Sequence, residues 1–365
     1  MISNQIIQNT IEGLKGITRK DICVIERDGK VAASTTGDLP NDFFAIVENF
    51  IGSQAENQQI QGNQYFKVYE NGVAEYAVII RGEDDDAFRV GKLAAFHLQS
   101  LMVAYKERFD RDNFIKNLLL DNLLLVDIYS RAKKLHVENN VHRVVYLIET
   151  EIDKDMGVVE IIRSIFPTKQ RDFVTAVDEK SIILVKELRD KDGADEIEKN
   201  ARIICDTIGS EAMIKVNVAI GTVVTDLKNV SSSYKEARMA QEVGRIFEED
   251  KQIVNYEQLG IGRLIYQLPL SLCRMFVNEV LQGVKFERFD DETFATVAKF
   301  FENNLNVSET SRQLYIHRNT LVYRLDKLQK ITGLDLRNFD DAITFKITTM
   351  VSKYMQYKER HALKA

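Results

Sequence analysis

Residues 306–330 constrain the fold of this 365-residue chain more than any other stretch, because they have the pattern of two short helices joined by a tight turn. Ser308 is a favourable N-cap for a first helix that ends near Leu314. The turn follows at 315–316, and His317 is predicted to cap the second helix. Within that helix, leucines recur at the i, i+4 and i+7 spacing of a buried stripe: Leu321, Leu325 and Leu328.

The opposite face of the second helix is polar and basic, as a helix in the major groove of DNA requires. In its first turn, Arg318 can hydrogen-bond guanine, Asn319 can bridge adenine, and Thr320 can contact a base or a methyl group. His317 belongs to the same predicted DNA-binding set. Contacts with the DNA backbone are assigned to Ser308, Tyr323, Arg324 and Lys327. From spacing alone, an ordinary helical hairpin with a solvated charged face explains the pattern equally well.

Charge is distributed unevenly along the chain. The net charge is −6, but residues 290–365 hold 12 lysines and arginines against 10 acids, so this region carries +2 and the rest −8. Within 308–330, five basic residues outnumber two acids, an excess expected where a helix meets phosphates. We therefore predict that double-stranded DNA is the partner of the C-terminal region and that the acidic remainder does not touch it.

The N-terminal part has the pattern of a small α+β domain. Two β-like runs meet at Asp28-Gly29, and a second pair, spanning 65–81, meets at Asn71-Gly72; both dipeptides favour hairpin turns. Helical spacing occurs between the hairpins at 43–50 and over a long amphipathic stretch at 87–108. This order of elements predicts a PAS-like α/β sensor.

A leucine-rich connector and a second α/β unit follow. The helical connector, 110–135, is too apolar for a bare surface helix, so we predict that it packs on another helix or another subunit. A helical region is predicted from about Tyr256 to the C-terminus. The α/β unit between them is predicted to contain strand 144–148, a helix ending near Pro167, two strands around 178–180, helix 194–208, strand 215–221 and helix 230–247.

A specific signature covers the second of the two short helices: Leu314-Tyr-Ile-His-Arg-Asn-Thr-Leu-Val-Tyr-Arg-Leu-Asp-Lys-Leu328, followed by Thr332-Gly-Leu-Asp335. It closely resembles the C-terminal helix-turn-helix of the PucR and CdaR (carbohydrate diacid regulator) families. Ser311 departs from the alanine that these families carry where the two helices cross, and a serine is small enough to fit there. The resemblance implies transcription regulators that bind DNA as dimers or higher oligomers and respond to small metabolites, often sugar acids.

The resemblance extends over the whole chain and implies a multi-domain α+β protein. Residues 1–132 resemble a sugar-diacid-recognition domain, a ligand sensor ending in long helices, and residues 138–256 resemble a degenerate GGDEF-like domain for scaffolding or dimerisation. A helical connector at 257–290 then leads to an all-α helix-turn-helix domain at 291–358. This order implies a ligand-responsive regulator, a homodimer or higher homo-oligomer, that controls uptake or catabolism of a sugar acid or related metabolite.

The alternative is an enzyme, a nucleotide-binding or cyclase-like protein acting through the GGDEF-like domain. A cyclase needs a glycine-rich turn and carboxylates that hold magnesium, and the candidate hairpin at 176–181 has no glycine. Acids at strand ends are usually solvated, and the five histidines are scattered, so we predict no catalytic residue, no metal and no cofactor. The acids that could still gather near the hairpin are Glu149, Asp153, Asp178 and Glu179.

A candidate ligand pocket lies beside the first hairpin, around 34–43. Lys67 or Arg81 can neutralise an acid group there, although a polar loop with turn residues explains the stretch equally well. Sugar-diacid sensors carry arginine-glycine and histidine-glutamate-glycine where this chain has 39–43, so we predict a small anionic or polar effector without naming it. The hydroxyls available to a polyol or carboxylate are those of Ser34, Thr35 and Thr36.

Cysteine spacing and hydropathy indicate in which cellular compartment the protein is expected. The three cysteines lie far apart, without the spacing of a disulfide framework or a zinc site. The most apolar stretch, 118–126, is interrupted by Asp121 and Asn122 and is too short to span a bilayer. We therefore expect a cytoplasmic protein that does not enter a membrane.

Overall fold

The computed structural model describes residues 2–37, 43–70, 72–150, 156–166, 171–178, 181–281 and 290–362. By its internal contacts the chain divides into two compact units. The first comprises Met1–Ile115 with Lys133–His136, and the second comprises Lys116–Ala132 with Val137–Ala365. None of the helices in the described ranges is both long and apolar enough to cross a membrane.

The first unit is built on a five-stranded antiparallel sheet with strand order β2-β1-β5-β4-β3. Both predicted hairpins are confirmed, and Gly29 adopts a φ of 86° at the first turn while Gly72 adopts 82° at the second. Asn71 lies outside the described residues. The elements are α1 (Asn4–Thr18), β1 (Ile22–Glu26), β2 (Val31–Ser34), α2 (Phe43–Gly52), β3 (Asn57–Ile60), β4 (Asn63–Glu70), β5 (Val73–Arg81) and the start of α3 (Asp85–Leu119).

The strand alternation gives this sheet two apolar faces. Ile22, Val24 and Val78 point to the face that α1 and α3 cover, whereas Cys23 and Ile25 point to the face beneath α2. The α+β class is therefore as predicted, and the PAS-like assignment stays a prediction. Helix α1 and the polar edge strand β3 were not anticipated by the sequence analysis.

The long helix differs from its predicted boundaries. The sequence suggested a helix over 87–108 followed by a separate connector, but α3 continues without a break for 35 residues. The break comes at 120–124, where Asp121 adopts a left-handed φ of 57°, and α4 (Leu125–Lys134) follows. Residues 108–118 continue the helical pattern, because Ile115 and Leu118 are buried on one side.

The second unit contains a five-stranded sheet with strand order β10-β9-β6-β8-β7. Strands β9 and β10 pair in parallel, and the other pairs are antiparallel. Helices α5 and α6 cover one face of the sheet, and α7 covers the other. The elements are β6 (Arg143–Thr150), α5 (Met156–Ile165), β7 (Phe173–Ala176), β8 (Ser181–Glu187), α6 (Ala194–Glu211), β9 (Val216–Ile220), α7 (Val230–Phe247) and β10 (Ile253–Asn255).

The C-terminal part of the second unit is helical. One apolar cluster joins α10, α12 and α13 around Phe300 and Phe345, and another joins α7, α8, α9 and α13 around Ile246 and Tyr354. Helix α13 therefore belongs to both clusters. The helices are α8 (Gly262–Tyr266), α9 (Leu270–Leu281), α10 (Asp291–Glu302), α11 (Val307–Gln313), α12 (Arg318–Thr332) and α13 (Phe339–Ala362).

Candidate nucleic-acid interface

The predicted leucine stripe forms the underside of α12. Leu321, Leu325 and Leu328 are at most 1% exposed and pack with Phe300 and Phe345. Because α12 is anchored along this stripe, its opposite side faces away from the protein core. Gly333 ends the helix in the left-handed conformation with a φ of 78°.

The cap of α12 is as predicted, whereas the cap of α11 is not. The Nδ1 atom of His317 accepts a hydrogen bond from the backbone N–H of Asn319 at 3.2 Å. For α11, the prediction of Ser308 as N-cap is wrong. Asn306 is the N-cap, and its side chain accepts from the backbone N–H of Glu309 at 3.1 Å. The helix begins two residues earlier than expected, so Ser308 lies exposed in its first turn.

The turn between α11 and α12 is tight. Ser311 is 8% exposed where the helices meet, and its hydroxyl donates to the carbonyl oxygen of Ser308 at 2.9 Å. Serine is therefore accommodated at this crossing with its donor satisfied. Tyr315 adopts a φ of 55° and is 96% exposed in the turn just before α12. Sequence reasoning used Tyr315 only as a turn residue, although a large aromatic in such a turn signals a contact surface.

Seven of the eight predicted DNA-binding residues are exposed on the surface formed by α11 and the outer face of α12: Ser308, His317, Arg318, Asn319, Thr320, Tyr323 and Lys327. The Nζ atom of Lys327 lies 3.7 Å from Oδ2 of Asp290. Asp290 caps α10 by accepting from the N–H of Thr293 at 2.7 Å, and the pKa of Asp290 is lowered first by Thr293 and further by Lys327. This ion pair is solvent-exposed, so it contributes little to stability and leaves Lys327 available to a phosphate.

Arg324 is placed differently from the other seven. Its side chain is 18% exposed and forms an ion pair with Glu292. Its Nη1 donates to Oγ1 of Thr296 at 2.8 Å. Glu292 and Thr296 lie one turn apart on α10, so the guanidinium group joins α12 to α10. The sequence analysis assigned Arg324 to the DNA backbone, but it could not show that α10 carries partners for its guanidinium group.

The candidate ligand residues of the first unit do not converge on one point. The hydroxyl of Ser34 donates to the carbonyl oxygen of Thr36 at 2.7 Å, and the hydroxyl of Thr35 accepts from the N–H of Ile22 at 2.9 Å. Strands β1 and β5 separate Ser34 from Lys67, a distance of about 14 Å at ordinary strand spacing. Residues 38–42 of the candidate loop lie outside the described residues.

Lys67 and Arg81 occupy neighbouring strands of that sheet. Lys67 is 9% exposed beneath α2, its Nζ donates to the carbonyl oxygen of Ser53 at 2.5 Å, and it lies 5.2 Å from the centre of the Phe50 ring. Arg81 is exposed at the end of β5, where its backbone pairs with Asn63.

The acids considered for a metal site have other partners where the structure describes them. Glu149 forms an ion pair with Arg245, and Asp178 accepts from the N–H of Ser181 at 2.7 Å. Asp153 and Glu179 lie outside the described residues. Within the described ranges, no group of three or more histidine, cysteine, aspartate or glutamate side chains is arranged to hold a metal ion.

Two family models match the chain. Residues 293–350 match the PucR C-terminal helix-turn-helix domain, which covers most of α10, all of α11 and α12, and the first half of α13. Residues 122–243 match the GGDEF-like domain, which covers α4 and most of the second sheet. The chain is thus a mixed α/β protein with a GGDEF-like domain and a C-terminal helix-turn-helix domain.

Characterised relatives are bacterial regulators. The carbohydrate diacid regulator of Escherichia coli (strain K12) is 22% identical, over 75% of this chain and 75% of that protein. The purine catabolism regulatory protein of Bacillus subtilis (strain 168) is 25% identical over 38% of this chain and 26% of that protein. The DNA-binding transcriptional activator AdeR of the same organism is 30% identical over 40% of this chain and 34% of that protein. With a GGDEF-like domain followed by a helix-turn-helix domain, the chain is similar to the CdaR and PucR families of transcription regulators.

Proposed function

We propose that this protein is a ligand-responsive transcription regulator that inserts α12 into the major groove of an operator. The observation that carries the proposal is the exposed polar row on α12, which stands opposite a fully buried leucine stripe. A helix anchored in this way presents its first turn to base edges while later basic residues reach phosphates.

We assign base contacts to Arg318, Asn319 and Thr320 in the first turn of α12. His317 holds that turn through its cap. Contacts with the DNA backbone are assigned to Ser308, Tyr323 and Lys327. Arg324 positions α12 against α10 through Glu292 and Thr296, and any contact it makes with a phosphate is additional to that role.

The effector is proposed to be a small anionic or polar metabolite bound by the first unit. The environment of Lys67 supports the proposal that the effector is an anion. Lys67 is almost buried, and no described carboxylate lies within ion-pair distance of its Nζ. A buried ammonium group is costly unless an opposite charge compensates it. The relative named as a carbohydrate diacid regulator makes sugar acids the first class to test. Arg81 is the second candidate cation. The hydroxyls of Ser34, Thr35 and Thr36 stay candidate polyol contacts, but three strand spacings separate β2 from β4, so they do not contact the same small ligand as Lys67.

Two copies of the chain are proposed to act together on DNA in the bacterial cytoplasm. Paired half-sites about one helical turn apart are what dimeric helix-turn-helix proteins bind. Helix α3 begins in the first unit and ends in the second, so a change that an effector makes at the start of this helix has a continuous path along it.

DNA binding is tested with the purified full-length chain and duplexes from the region upstream of its own gene. We expect a salt-dependent preference for one upstream segment over random duplex of equal length, by at least tenfold in affinity. Equal affinity for both duplexes, with and without sugar acids, would remove the proposal.

Effector binding is tested by thermal shift with glucarate and galactarate against the neutral polyol galactitol. Specific binding to the folded state raises the melting temperature by mass action. The variant Lys67→Met should lose the response to the acids, whereas Lys191→Met, which changes an exposed lysine in the other unit, should retain it. A response that survives Lys67→Met would place the anion elsewhere.

The GGDEF-like domain is proposed to serve as a scaffold. No observation favours turnover of a nucleotide, and the hairpin at 176–181 lacks the glycines that would admit one. Incubation of the full chain with GTP and magnesium should leave the GTP unchanged. Magnesium-dependent turnover that disappears in Glu149→Gln and Asp178→Asn variants would establish the enzymatic alternative.

A further inference from the structure

A groove of about 980 Å³ lies within the second unit, between the helix-turn-helix domain and the GGDEF-like domain. Helix α10 and helix α13 form one side of it, and the end of α7 with the residues that precede α8 forms the other. Its volume is at the upper end of the range of small-molecule sites, about 300–1,000 Å³. None of the residues predicted to contact the effector or DNA lines it.

The walls of the groove are apolar. Phe294 and Phe301 come from α10, Phe247 comes from α7, and Met350 comes from α13. Each of these side chains is only half buried, because one edge packs on a neighbouring apolar cluster while another edge faces the groove. Such walls suit an aromatic ring or a short alkyl chain.

The charged residues that line the groove are two acids and two lysines, and only the acids have ion-pair partners among the described residues. Its two acids have lysine partners, Glu248 with Lys251 and Glu302 with Lys299. Its two lysines, Lys346 and Lys353, are one heptad apart on α13 and form no ion pair with any described carboxylate. Lys346 instead lies 5.7 Å from the centre of the Phe301 ring. The groove thus combines apolar walls with two lysines whose ammonium groups have no ion-pair partner among the described residues.

We propose that this groove is a second ligand site, which binds a small amphipathic carboxylate with an aromatic or medium-chain apolar part. The apolar part lies between the phenylalanines of α10 and α7, and the carboxylate lies at Lys346 and Lys353. Such a ligand contacts both domains at once, so it fixes the position of α10. Arg324 joins α12, the proposed DNA-recognition helix, to α10.

The chain contains no tryptophan, which makes a specific optical test possible. Phe294→Trp places one indole in the groove, and its emission is followed in the full-length chain during titration with 4-phenylbutyrate, decanoate and the neutral 4-phenylbutan-1-ol. We expect saturable binding of both carboxylates, at least tenfold tighter than binding of the alcohol. Calorimetric titration of the unsubstituted chain should give the same order of affinities.

Two sets of variants identify the site. Lys346→Gln with Lys353→Gln should remove the preference for carboxylates, and Ala298→Phe, which fills the groove, should reduce the affinity of all three probes at least tenfold. The matched control, Lys191→Gln with Lys215→Gln, removes two exposed lysines elsewhere and should change nothing. Absence of saturable binding, equal affinity for the alcohol, or unchanged affinities in both groove variants would overturn the site.

The effect on DNA rests on the proposed function and is measured separately. With 4-phenylbutyrate bound, we expect the affinity for the upstream segment to change at least threefold, and the Ala298→Phe variant to show no such change. If the probe binds in the groove without altering DNA affinity, the site stands and its coupling to the recognition helix is refuted.

Discussion

The proposed DNA contacts of α12 are of two kinds, base contacts at its start and phosphate contacts further along. The backbone N–H of Asn319 is satisfied by His317, so the side-chain amide of Asn319 and the guanidinium of Arg318 remain exposed for base edges. Lys327 lies more than two turns further along, where a flexible cation reaches a phosphate. Loss of a base contact is expected to change sequence preference, whereas loss of a phosphate contact is expected to change the salt dependence, so variants can separate the two.

Arg318→Ala and Asn319→Ala should relax sequence preference. Each bidentate base contact contributes about 1–3 kcal/mol of discrimination, so affinity for the preferred duplex falls while affinity for random duplex changes less. Lys327→Ala should weaken binding to all duplexes alike and reduce the slope of log affinity against log salt by about 1. Fluorescence anisotropy at several salt concentrations measures both the sequence preference and the salt slope. A uniform loss in Arg318→Ala would contradict its assignment to a base.

Arg324 offers a test of positioning against direct contact. If the guanidinium only joins α12 to α10, Glu292→Gln should weaken specific DNA binding modestly, and Arg324→Lys should weaken it without altering the salt slope. If Arg324 contacts a phosphate, Glu292→Gln should release it and strengthen binding, and Arg324→Gln should reduce the slope by about 1. Exposed Glu302→Gln, on the same helix, serves as the control.

Sequence reasoning at this scale succeeded where one local interaction decides the outcome. The cap by His317 and the leucine stripe depend on spacing within one helix, and both are confirmed. Asn306 and Ser308 are both favourable caps two residues apart, and residue preference alone could not choose between them. The partners of Arg324 come from another helix, so they depend on a crossing that the sequence does not show.

At the scale of elements, helices and strands whose apolar pattern repeats along the chain were predicted from the sequence, whereas short or polar elements were not. Helix α7 was predicted with its observed bounds, Val230–Phe247, because nine of its residues are buried on a continuous stripe. Strand β3 was not predicted, because most of its residues are polar and three of its four residues are exposed at the sheet edge. The length of α3 was underestimated because its pattern of burial shifts around the helix after Met102.

The contact of α3 with the first sheet depends on a glycine. A Cβ atom on Gly91 would lie 2.0 Å from Cε2 of Phe66, so Gly91→Ala must displace the ring or the helix. We expect a cost of about 1–3 kcal/mol from overpacking. Hydrogen exchange of the amides in 64–70 and 85–98, measured by mass spectrometry in the full chain, should accelerate accordingly.

The matched control for Gly91 is Gly13, which lies exposed in α1, where an added Cβ atom would meet no neighbouring group within 4 Å. Gly13→Ala should stabilise α1 by about 0.5–1 kcal/mol, because alanine loses less conformational entropy than glycine in a helix. Equal exchange rates in the two variants would show that the space at Gly91 is not required for the packing of α3.

At the scale of the whole molecule, the surface of the described residues holds an apolar row on α3 that the first unit leaves uncovered. Leu93 is 61% exposed, Phe96 71% and Val103 59%, at the i, i+3 and i+10 positions of one helix face. This is the spacing of a coiled-coil seam, and Ser100 at i+7 keeps the seam narrow. The proposed dimer on paired half-sites needs a self-complementary surface, and we propose that this row is that surface.

The exposed row predicts that the full-length chain sediments as a dimer and that Leu93→Ser with Phe96→Ser shifts it to a monomer. Two exposed apolar side chains of this size bury enough surface on pairing to dominate a helical seam, and serine removes that contribution. The double variant should bind the upstream duplex at least tenfold more weakly and protect one half-site instead of two. Ile17→Ser changes an 83% exposed residue on α1 and should leave sedimentation and protection unchanged. If the double variant still sediments as a dimer, the pairing surface lies outside α3, and the apolar side chains exposed at 124–126 become the next surface to test.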